Sequence, residues 1–201
     1  ILIPIIVCRL HSTKSILLLG LAFSSLISSL NSVLISLAMQ DNSAPPMIRW
    51  MMGGFYGMQW QHVVFALCFI LPVVVIAYFY SVKLDVMNFG DLTAKSLGIK
   101  LTQTKIVIIL MTAVLVGAST CISGGLPFVG LIVPHITRII IGPKHRDLMF
   151  CSIFVGASLL LFADMLSRNI LSHKEVELGI ITSLLGAPFF IWLIFKKRNY
   201  V

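Results

Sequence analysis

Six apolar runs, separated by short polar segments, dominate the hydrophobic pattern of the chain. They are Ile16–Ala38, Gln61–Tyr80, Ile106–Ile122, Leu126–Ile141, Leu148–Ser167 and Leu178–Phe195. About 20 apolar residues are needed for a helix to cross a hydrocarbon core about 30 Å thick, so these runs predict membrane-spanning helices. Leu126–Ile141 is short and contains Pro127, Gly130 and Pro134, a pattern that predicts a broken helix whose freed backbone groups are covered by neighbouring helices.

Composition excludes two other classes of protein. Of the 201 residues, 58% are hydrophobic and 11% are charged. Soluble domains have about 25% charged residues, and disordered chains are poor in apolar residues. The sequence therefore predicts an all-α, polytopic transmembrane helical bundle, in which residues 1–201 form one transmembrane domain.

The chain opens inside an apolar segment. Ile1–Cys8 is typical of the last turns of a helix, and it is preceded by neither an initiator methionine nor a signal-peptide pattern. We therefore expect the chain to be a fragment or truncated product of a longer protein.

Basic residues are unevenly divided between alternate loops. The net charge is +8, and successive spans place successive loops on opposite sides of a membrane. One side carries Arg9, Lys14, Lys83, Lys95, Lys100, Lys105, Arg138, Lys144, Arg146, Lys196, Lys197 and Arg198, whereas the other carries only Arg49, Arg168 and Lys174. The positive-inside rule makes the first side and the C-terminus cytoplasmic. This topology explains the positive charge without a nucleic-acid partner.

The longest polar stretch is the predicted cytoplasmic loop Val82–Thr104. Within it, Gly90–Gly98 is typical of a short helix with small residues on one face and a glycine stop. A helix this short is not stable alone and must dock on another surface. It either lies on its own bundle or forms a docking element for a cytoplasmic partner.

Asp164 and Arg168 form a second candidate site. They are four residues apart, so they share a helix face and can pair. An acidic residue this near an apolar run is costly unless it is paired, which makes Asp164 a functional candidate. The pair either fixes two helices or, since Arg168 lies at the outward end of its span, also meets an external partner.

The remaining polar residues give weaker signals. His135 is interpreted as a structural hydrogen-bonding group, and no His, Cys or carboxylate set has metal-site spacing. The chain has no glycine-rich phosphate loop ending in Gly-Lys-Ser/Thr, so we expect no cofactor and no covalent catalysis. The outward segment Met47–Trp60 favours an interfacial aromatic belt over a ligand site, and the four cysteines are expected to be buried packing residues.

Several motifs, taken in order, resemble the permease subunits of ABC importers for iron chelates, haem and cobalamin, the FecCD-type family. The matching segments are Trp50–Phe55, the coupling loop with Gly90, Asp91, Ala94, Leu97 and Gly98, the signature Phe128–His135 with Gly130, Pro134, His135 and Arg138, the turn with Gly142, His145 and Arg146, the helix with Asp164 and Arg168, and Gly186–Phe190.

Three positions depart from the family pattern. Asp91 replaces Glu, Pro127 replaces Gly, and Glu177 stands where Pro is usual, which leaves Glu175 as the family's glutamate.

The resemblance runs from Ile16 to Lys197 and implies the type II importer permease fold, of which this chain covers the C-terminal three-fifths. It implies a bacterial cytoplasmic membrane location, a second permease subunit, cytoplasmic ATPase subunits that use the ATP, and a periplasmic or lipid-anchored binding protein. The loop at residues 82–104 would take the ATPase's movement, and Arg168 matches an arginine that receives a carboxylate of the binding protein.

The function implied is ATP-driven import of an iron–siderophore, haem or a related metal chelate. Three alternatives stay open: a cobalamin importer permease, a secondary metal or solute transporter using Asp164 and the methionines, and a non-functional piece of a split gene.

Overall fold

The computed structural model describes residues 13–40, 44–170 and 176–198, and every regular element within them is a helix. The helices are α1 (Thr13–Gln40), α2 (Ala44–Met51), α3 (Trp60–Met87), α4 (Asp91–Ser96), α5 (Leu101–Ser123), α6 (Val129–Ile141), α7 (His145–Asn169) and α8 (Leu178–Arg198). The predicted all-helical class is confirmed. The expected helix end at Ile1–Cys8 and the family glutamate Glu175 lie outside the described residues.

Four helices are long and apolar enough to cross a membrane: Leu18–Met39 within α1, together with α3, α5 and α7. The apolar helices Val129–Ile141 and Leu178–Leu193 are shorter. Helix α3 continues to Met87 and α5 begins at Leu101, so the loop predicted as Val82–Thr104 is reduced to residues 88–100.

The outward segment predicted between the first two runs also contains a helix. Helix α2 begins with Ala44, Pro45 and Pro46, and proline is well tolerated in a first helical turn because its missing N–H has no intrahelical partner there. The aromatic belt interpretation fits the exposure of the indole rings, since Trp50 is 52% and Trp60 is 83% exposed.

The break predicted within Leu126–Ile141 is not present, because α6 is continuous from Val129 to Ile141 with Gly130 and Pro134 inside it, and the run loses only its first three residues. Residues 124–128 are not helical, and α6 begins after Phe128, which has a positive φ of 65°. The Phe128 ring packs 5.9 Å from that of Phe190. A Cβ on Gly186 would lie 2.4 Å from the Phe128 Cβ, so the glycine makes room for this strained phenylalanine.

Helix packing leaves much apolar surface exposed. Helix α3 packs against α5 and α7, α7 against α6 and α8, and α1 against α2. A small buried cluster is formed by Ala163, Leu178 and Ile181.

The prediction of buried cysteines is wrong for Cys68 and Cys121, which are exposed. Membrane helices carry apolar residues on all faces, so apolar neighbours in the sequence do not indicate an interior position.

Contacts between loops define two ends of the bundle. At one end, which we call the glycine end, the loops before α3, after α5 and before α8 meet, with Gly54 bonded to Ser123 and Gly179 to Gly53. At the other, the basic end, the end of α3, α4 and the starts of α5 and α7 meet. This grouping agrees with the alternation of loops expected from the charge count.

Candidate functional site

Three backbones approach one another closely at the glycine end. The Gly54 N–H donates to the Ser123 carbonyl at 2.9 Å, and the Gly179 N–H donates to the Gly53 carbonyl at 3.4 Å. A Cβ on Gly53 would lie 2.2 Å from the Gly125 carbonyl oxygen, and one on Gly179 would lie 2.0 Å from the Met52 carbonyl oxygen. Only glycine permits these approaches.

The motif Trp50–Phe55 therefore has a structural explanation. Gly124 has a φ of 68°, and a Cβ there would lie 2.0 Å from the Trp50 carbonyl oxygen. Helix α2, the end of α5 and the start of α8 are joined here by close main-chain contacts. We call this contact the glycine junction.

The predicted pairing of Asp164 with Arg168 is present beside this junction. The Arg168 Nε donates to Asp164 Oδ2 at 2.9 Å, and its Nη2 donates to Oδ1 at 3.4 Å. The Arg168 side chain is 56% exposed and that of Asp164 is 23% exposed. The fork of the arginine is thus directed at both carboxylate oxygens while one side of it faces outward.

Glu177 forms a second ion pair at the same end. Its Oε1 lies 3.5 Å from Nε of Arg49, whose guanidinium carbon is 5.9 Å from the centre of the Tyr56 ring. This pair links α2 to the segment before α8. The sequence pattern marked Glu177 only as a departure from proline, and the pairing needs the fold to bring residues 49 and 177 together.

The short helix α4 lies at the basic end, as predicted. It runs between Gly90 and Gly98, whose φ values are 105° and 80°. The Asp91 Oδ2 lies 3.1 Å from Nζ of Lys105, which ties α4 to α5. Ala94 is fully buried, and its carbonyl accepts the Ile99 N–H at 3.0 Å.

The two faces of α4 differ in what they contact. Ala94 is fully buried against its own subunit. It is one of the small residues predicted to dock a partner, and its side chain is therefore not available for that contact. Phe89, Leu92 and Leu97 are 76%, 84% and 65% exposed. We call these three the α4 apolar patch. Leu97 was a candidate from sequence, whereas Phe89 and Leu92 were missed because single apolar residues in a loop carry no periodic signal.

A carboxylate that the sequence did not single out joins α3 to α7. Asp85 Oδ1 accepts the His145 backbone N–H at 2.9 Å and lies 2.7 Å from His145 Nδ1. Arg146 donates through Nε to the hydroxyl of Tyr78. His145 and Arg146 were noted only as a turn motif, and the fold shows that this turn fixes the start of α7 to α3.

Replacing Asp85 with asparagine is expected to lower the free energy of unfolding by about 1–2 kcal/mol. The reason is that a neutral amide replaces the charged carboxylate that accepts two hydrogen bonds from His145. The measurement is thermal unfolding in detergent micelles. Asp147→Asn is the matched control, because Asp147 is exposed in the first turn of α7 and should contribute only about 0.5 kcal/mol through the helix dipole. Equal melting of both variants would contradict the assignment.

The signature residues of α6 do not converge on a polar cluster. His135 is half-buried, and its ring lies edge-on to Phe189 at 5.8 Å. Arg138 is exposed in the last turn, and Pro134 lies inside the helix beyond Gly130. Within residues 13–40, 44–170 and 176–198, no group of three His, Cys, Asp or Glu side chains is placed to hold a metal ion.

Comparison with known proteins gives the family. The sequence profile of the FecCD transport family matches residues 1–196. The chain belongs to the FecCD transport family. The hemin transport system permease protein HmuU of Yersinia pestis is 36% identical over 92% of this chain and 55% of its own length. The Fe(3+)-citrate import system permease protein YfmD of Bacillus subtilis is 37% identical over 90% and 53% respectively.

A solved structure agrees with the FecCD assignment. An inward-facing metal-chelate type ABC transporter superposes with a TM-score of 0.85 at 31% identity, over 94% of this chain and 63% of that one. The vitamin B12 import system permease protein BtuC of Klebsiella pneumoniae is 34% identical over 94% of the chain. The chain spans about half the length of these curated FecCD relatives, namely 53–56%.

Proposed function

We propose that this FecCD chain forms the membrane part of an ABC importer for a metal chelate, and carries no catalytic site of its own. The observation that carries the proposal is the agreement of sequence and fold along one chain, since the family profile matches residues 1–196 and the structural likeness covers 94% of the chain. ATP would be used by a partner subunit, and its energy would act as a shift between inward- and outward-open states.

The cargo class rests on what the relatives carry. Those relatives transport hemin, Fe(3+)-citrate and vitamin B12, which are large ligands, two of them containing iron. An iron–siderophore, haem or a similar chelate is our first candidate, and cobalamin is the second.

Uptake in proteoliposomes tests the class of transport. The full polypeptide that contains these 201 residues is reconstituted with its ATPase and binding protein, and uptake of radiolabelled ferric citrate or hemin is measured. We expect uptake to require hydrolysable ATP on the side of the membrane where the ATPase is bound. Uptake should persist when an ionophore collapses ion gradients. Uptake that ignores ATP and stops with the ionophore would instead identify a secondary transporter.

The basic end is proposed to be cytoplasmic and to meet the ATPase through α4. The α4 apolar patch supports this role, because Leu92 on α4 and Phe89 and Leu97 on either side of it expose large apolar side chains around a helix anchored by Ala94 and Asp91. Gly90 and Gly98, at the two ends of α4, set its direction relative to α3 and α5.

Membrane orientation is tested with single cysteines in a background without the native ones. A cysteine at Tyr56, which is 71% exposed at the glycine end, should react with an impermeant thiol reagent in intact spheroplasts. A cysteine at Lys144, at the basic end, should react only after the membrane is permeabilised. The reverse pattern would invert the orientation and remove α4 from the cytoplasm.

Arg168 is proposed to receive a carboxylate of the external binding protein. Its exposed guanidinium is now held by Asp164, so a partner carboxylate must compete with an internal one. We expect Arg168→Glu to assemble normally and lose at least about tenfold in affinity for the binding protein in nanodiscs at low salt. Asp164→Asn should tighten binding, because it removes an internal carboxylate that competes for the guanidinium.

Two measurements separate docking from a structural role. Affinity of the wild type should fall as ionic strength rises, because an exposed ion pair is screened by salt. A reversed charge on the binding protein should restore part of the Arg168→Glu affinity. The docking role would be excluded if Arg168→Glu bound the binding protein with wild-type affinity while Arg168→Ala assembled poorly. The ion pair of Asp164 with Arg168 would then have a structural role alone.

A further inference from the structure

A groove with apolar walls lies between α3, α5 and α7. Its lining includes Val75 and Phe79 of α3, Leu115 of α5, and Phe150 and Ile153 of α7. Phe79 is 72% exposed and Phe150 is 57% exposed, so the groove opens on the surface of the bundle that the described residues form. Ser152 also lines the groove, but its hydroxyl oxygen is buried and contributes no polar surface to it.

An arginine is fixed at one end of this groove. Tyr78, which also lines the groove, accepts a hydrogen bond from Nε of Arg146, and the guanidinium carbon lies 5.0 Å from the centre of its ring. The other N–H groups of this guanidinium have no hydrogen-bond acceptor among the residues that the structure describes. Tyr78 therefore holds the Arg146 charge at the groove mouth with its terminal donors available.

Two basic and two acidic side chains, Lys144, Arg146, Asp85 and Asp147, surround the mouth. Lys144 precedes Arg146 on α7, and Asp147 follows it. Asp85 of α3 accepts both hydrogen bonds from His145 on Oδ1, which directs this carboxylate toward the start of α7. An anionic group at the mouth would meet Arg146 first.

The mouth of the groove lies near one headgroup layer of the bilayer. Eighteen residues separate Trp60 from Tyr78 on α3, which is about 27 Å of helix, close to the thickness of the hydrocarbon core. If Trp60 lies at one headgroup layer, as its exposed indole favours, Tyr78 and Arg146 lie at the other. The groove then runs from that headgroup layer toward the bilayer centre.

We propose that the groove is a binding site for a phospholipid of the leaflet at the basic end, with an acyl chain along the apolar walls and the phosphate on Arg146. Arginine binds phosphate through two parallel N–H groups, which its fixed side chain here makes available. Basic positions between membrane helices are typical sites for phospholipid head groups. The occupant is a lipid rather than a free anion, because the apolar groove continues directly from the charged mouth.

Retention of lipid through detergent extraction tests the site. The full polypeptide is reconstituted in phosphatidylglycerol–phosphatidylethanolamine nanodiscs, transferred to mild detergent and examined by native mass spectrometry. We expect the wild type to retain one phospholipid, and expect Arg146→Ala and Val75→Trp to reduce the retained fraction at least tenfold. Arg146→Lys should give an intermediate loss, since it keeps the charge but not the fork.

Two controls are matched to these variants. Ile76→Trp adds the same indole at a neighbouring exposed position that does not line the groove, and Arg138→Ala removes an exposed arginine from the same end of the bundle. Both should retain lipid like the wild type. Equal retention by all variants, or equal loss in the controls, would overturn the proposal.

A photoreactive benzoylphenylalanine at position 150 identifies the occupant directly. Irradiation in the nanodiscs should give an adduct with the mass of a phospholipid. An adduct to another segment of the same polypeptide or to a second subunit would show that protein fills the groove, and it would overturn the lipid assignment. If Arg146→Ala or Val75→Trp lowers the melting temperature, Tyr78→Phe is used in its place. This variant removes only the hydroxyl that holds Arg146 and should lower the retained fraction of lipid.

Discussion

Replacing Gly179 with alanine is expected to destabilise the protein strongly. The added Cβ would lie 2.0 Å from the Met52 carbonyl oxygen and 2.9 Å from that of Gly125, both of them main-chain atoms that cannot rotate away. Overpacking of this kind costs about 1–3 kcal/mol, and we expect the upper end of that range because the clash is with main chain. For a protein of this size we expect the melting temperature to fall by roughly 10 °C, measured by fluorescence-detected thermal unfolding in detergent.

Gly117→Ala is the matched control for this experiment. Gly117 lies within α5, and a Cβ there would meet nothing within 4 Å. Alanine favours a helix over glycine by up to about 1 kcal/mol, so this variant should melt with the wild type or slightly above it. If Gly179→Ala melted with Gly117→Ala, the glycine junction would not be the close contact described above.

Replacing Leu92 with aspartate is expected to remove association with an ATPase while leaving the membrane bundle folded. Leu92 is 84% exposed, so the change breaks no contact inside the subunit but places a charge in the middle of the α4 apolar patch. A buried unpaired charge at an interface is strongly unfavourable, so co-purification of the ATPase should fall at least about tenfold. Melting temperature should stay within about 1 °C of the wild type.

Ala94→Leu provides the contrasting variant. Ala94 is fully buried, so a larger side chain there disturbs the seat of α4 on its own subunit. We expect it to lower both ATPase co-purification and melting temperature, whereas Lys95→Ala, on the exposed side of α4, should change neither. Unaltered co-purification with Leu92→Asp would exclude the patch as the docking surface.

The sequence predicted the helices well because their signal is local. Long apolar runs without charges have few alternatives to spanning helices, and four of the six predicted runs begin and end within three residues of an observed helix. The other two are too short: α3 extends seven residues beyond Tyr80, and α5 begins five residues before Ile106. The break expected within Leu126–Ile141 is absent, because α6 runs without interruption from Val129 to Ile141. The point at which α6 starts depends on the contact between Phe128 and Gly186, two residues far apart in the chain.

Contacts between distant segments account for what the sequence missed. Asp164 and Arg168 could be paired from their spacing, because both lie on one helix. Asp85 with His145, and Arg49 with Glu177, involve different helices or loops, and no periodicity relates such positions. The glycines of the junction showed a motif in the sequence, but only the fold reveals which carbonyl oxygen each of them faces.

Helix α4 has only six residues and would not be helical as a separate peptide. In the protein it is already formed, because the buried methyl group of Ala94 and the ion pair of Asp91 with Lys105 hold it against α3 and α5. A partner that binds it therefore meets a preorganised surface and loses little conformational entropy on association. A peptide of residues 88–100 should compete poorly for that partner, even though it contains every side chain of the patch.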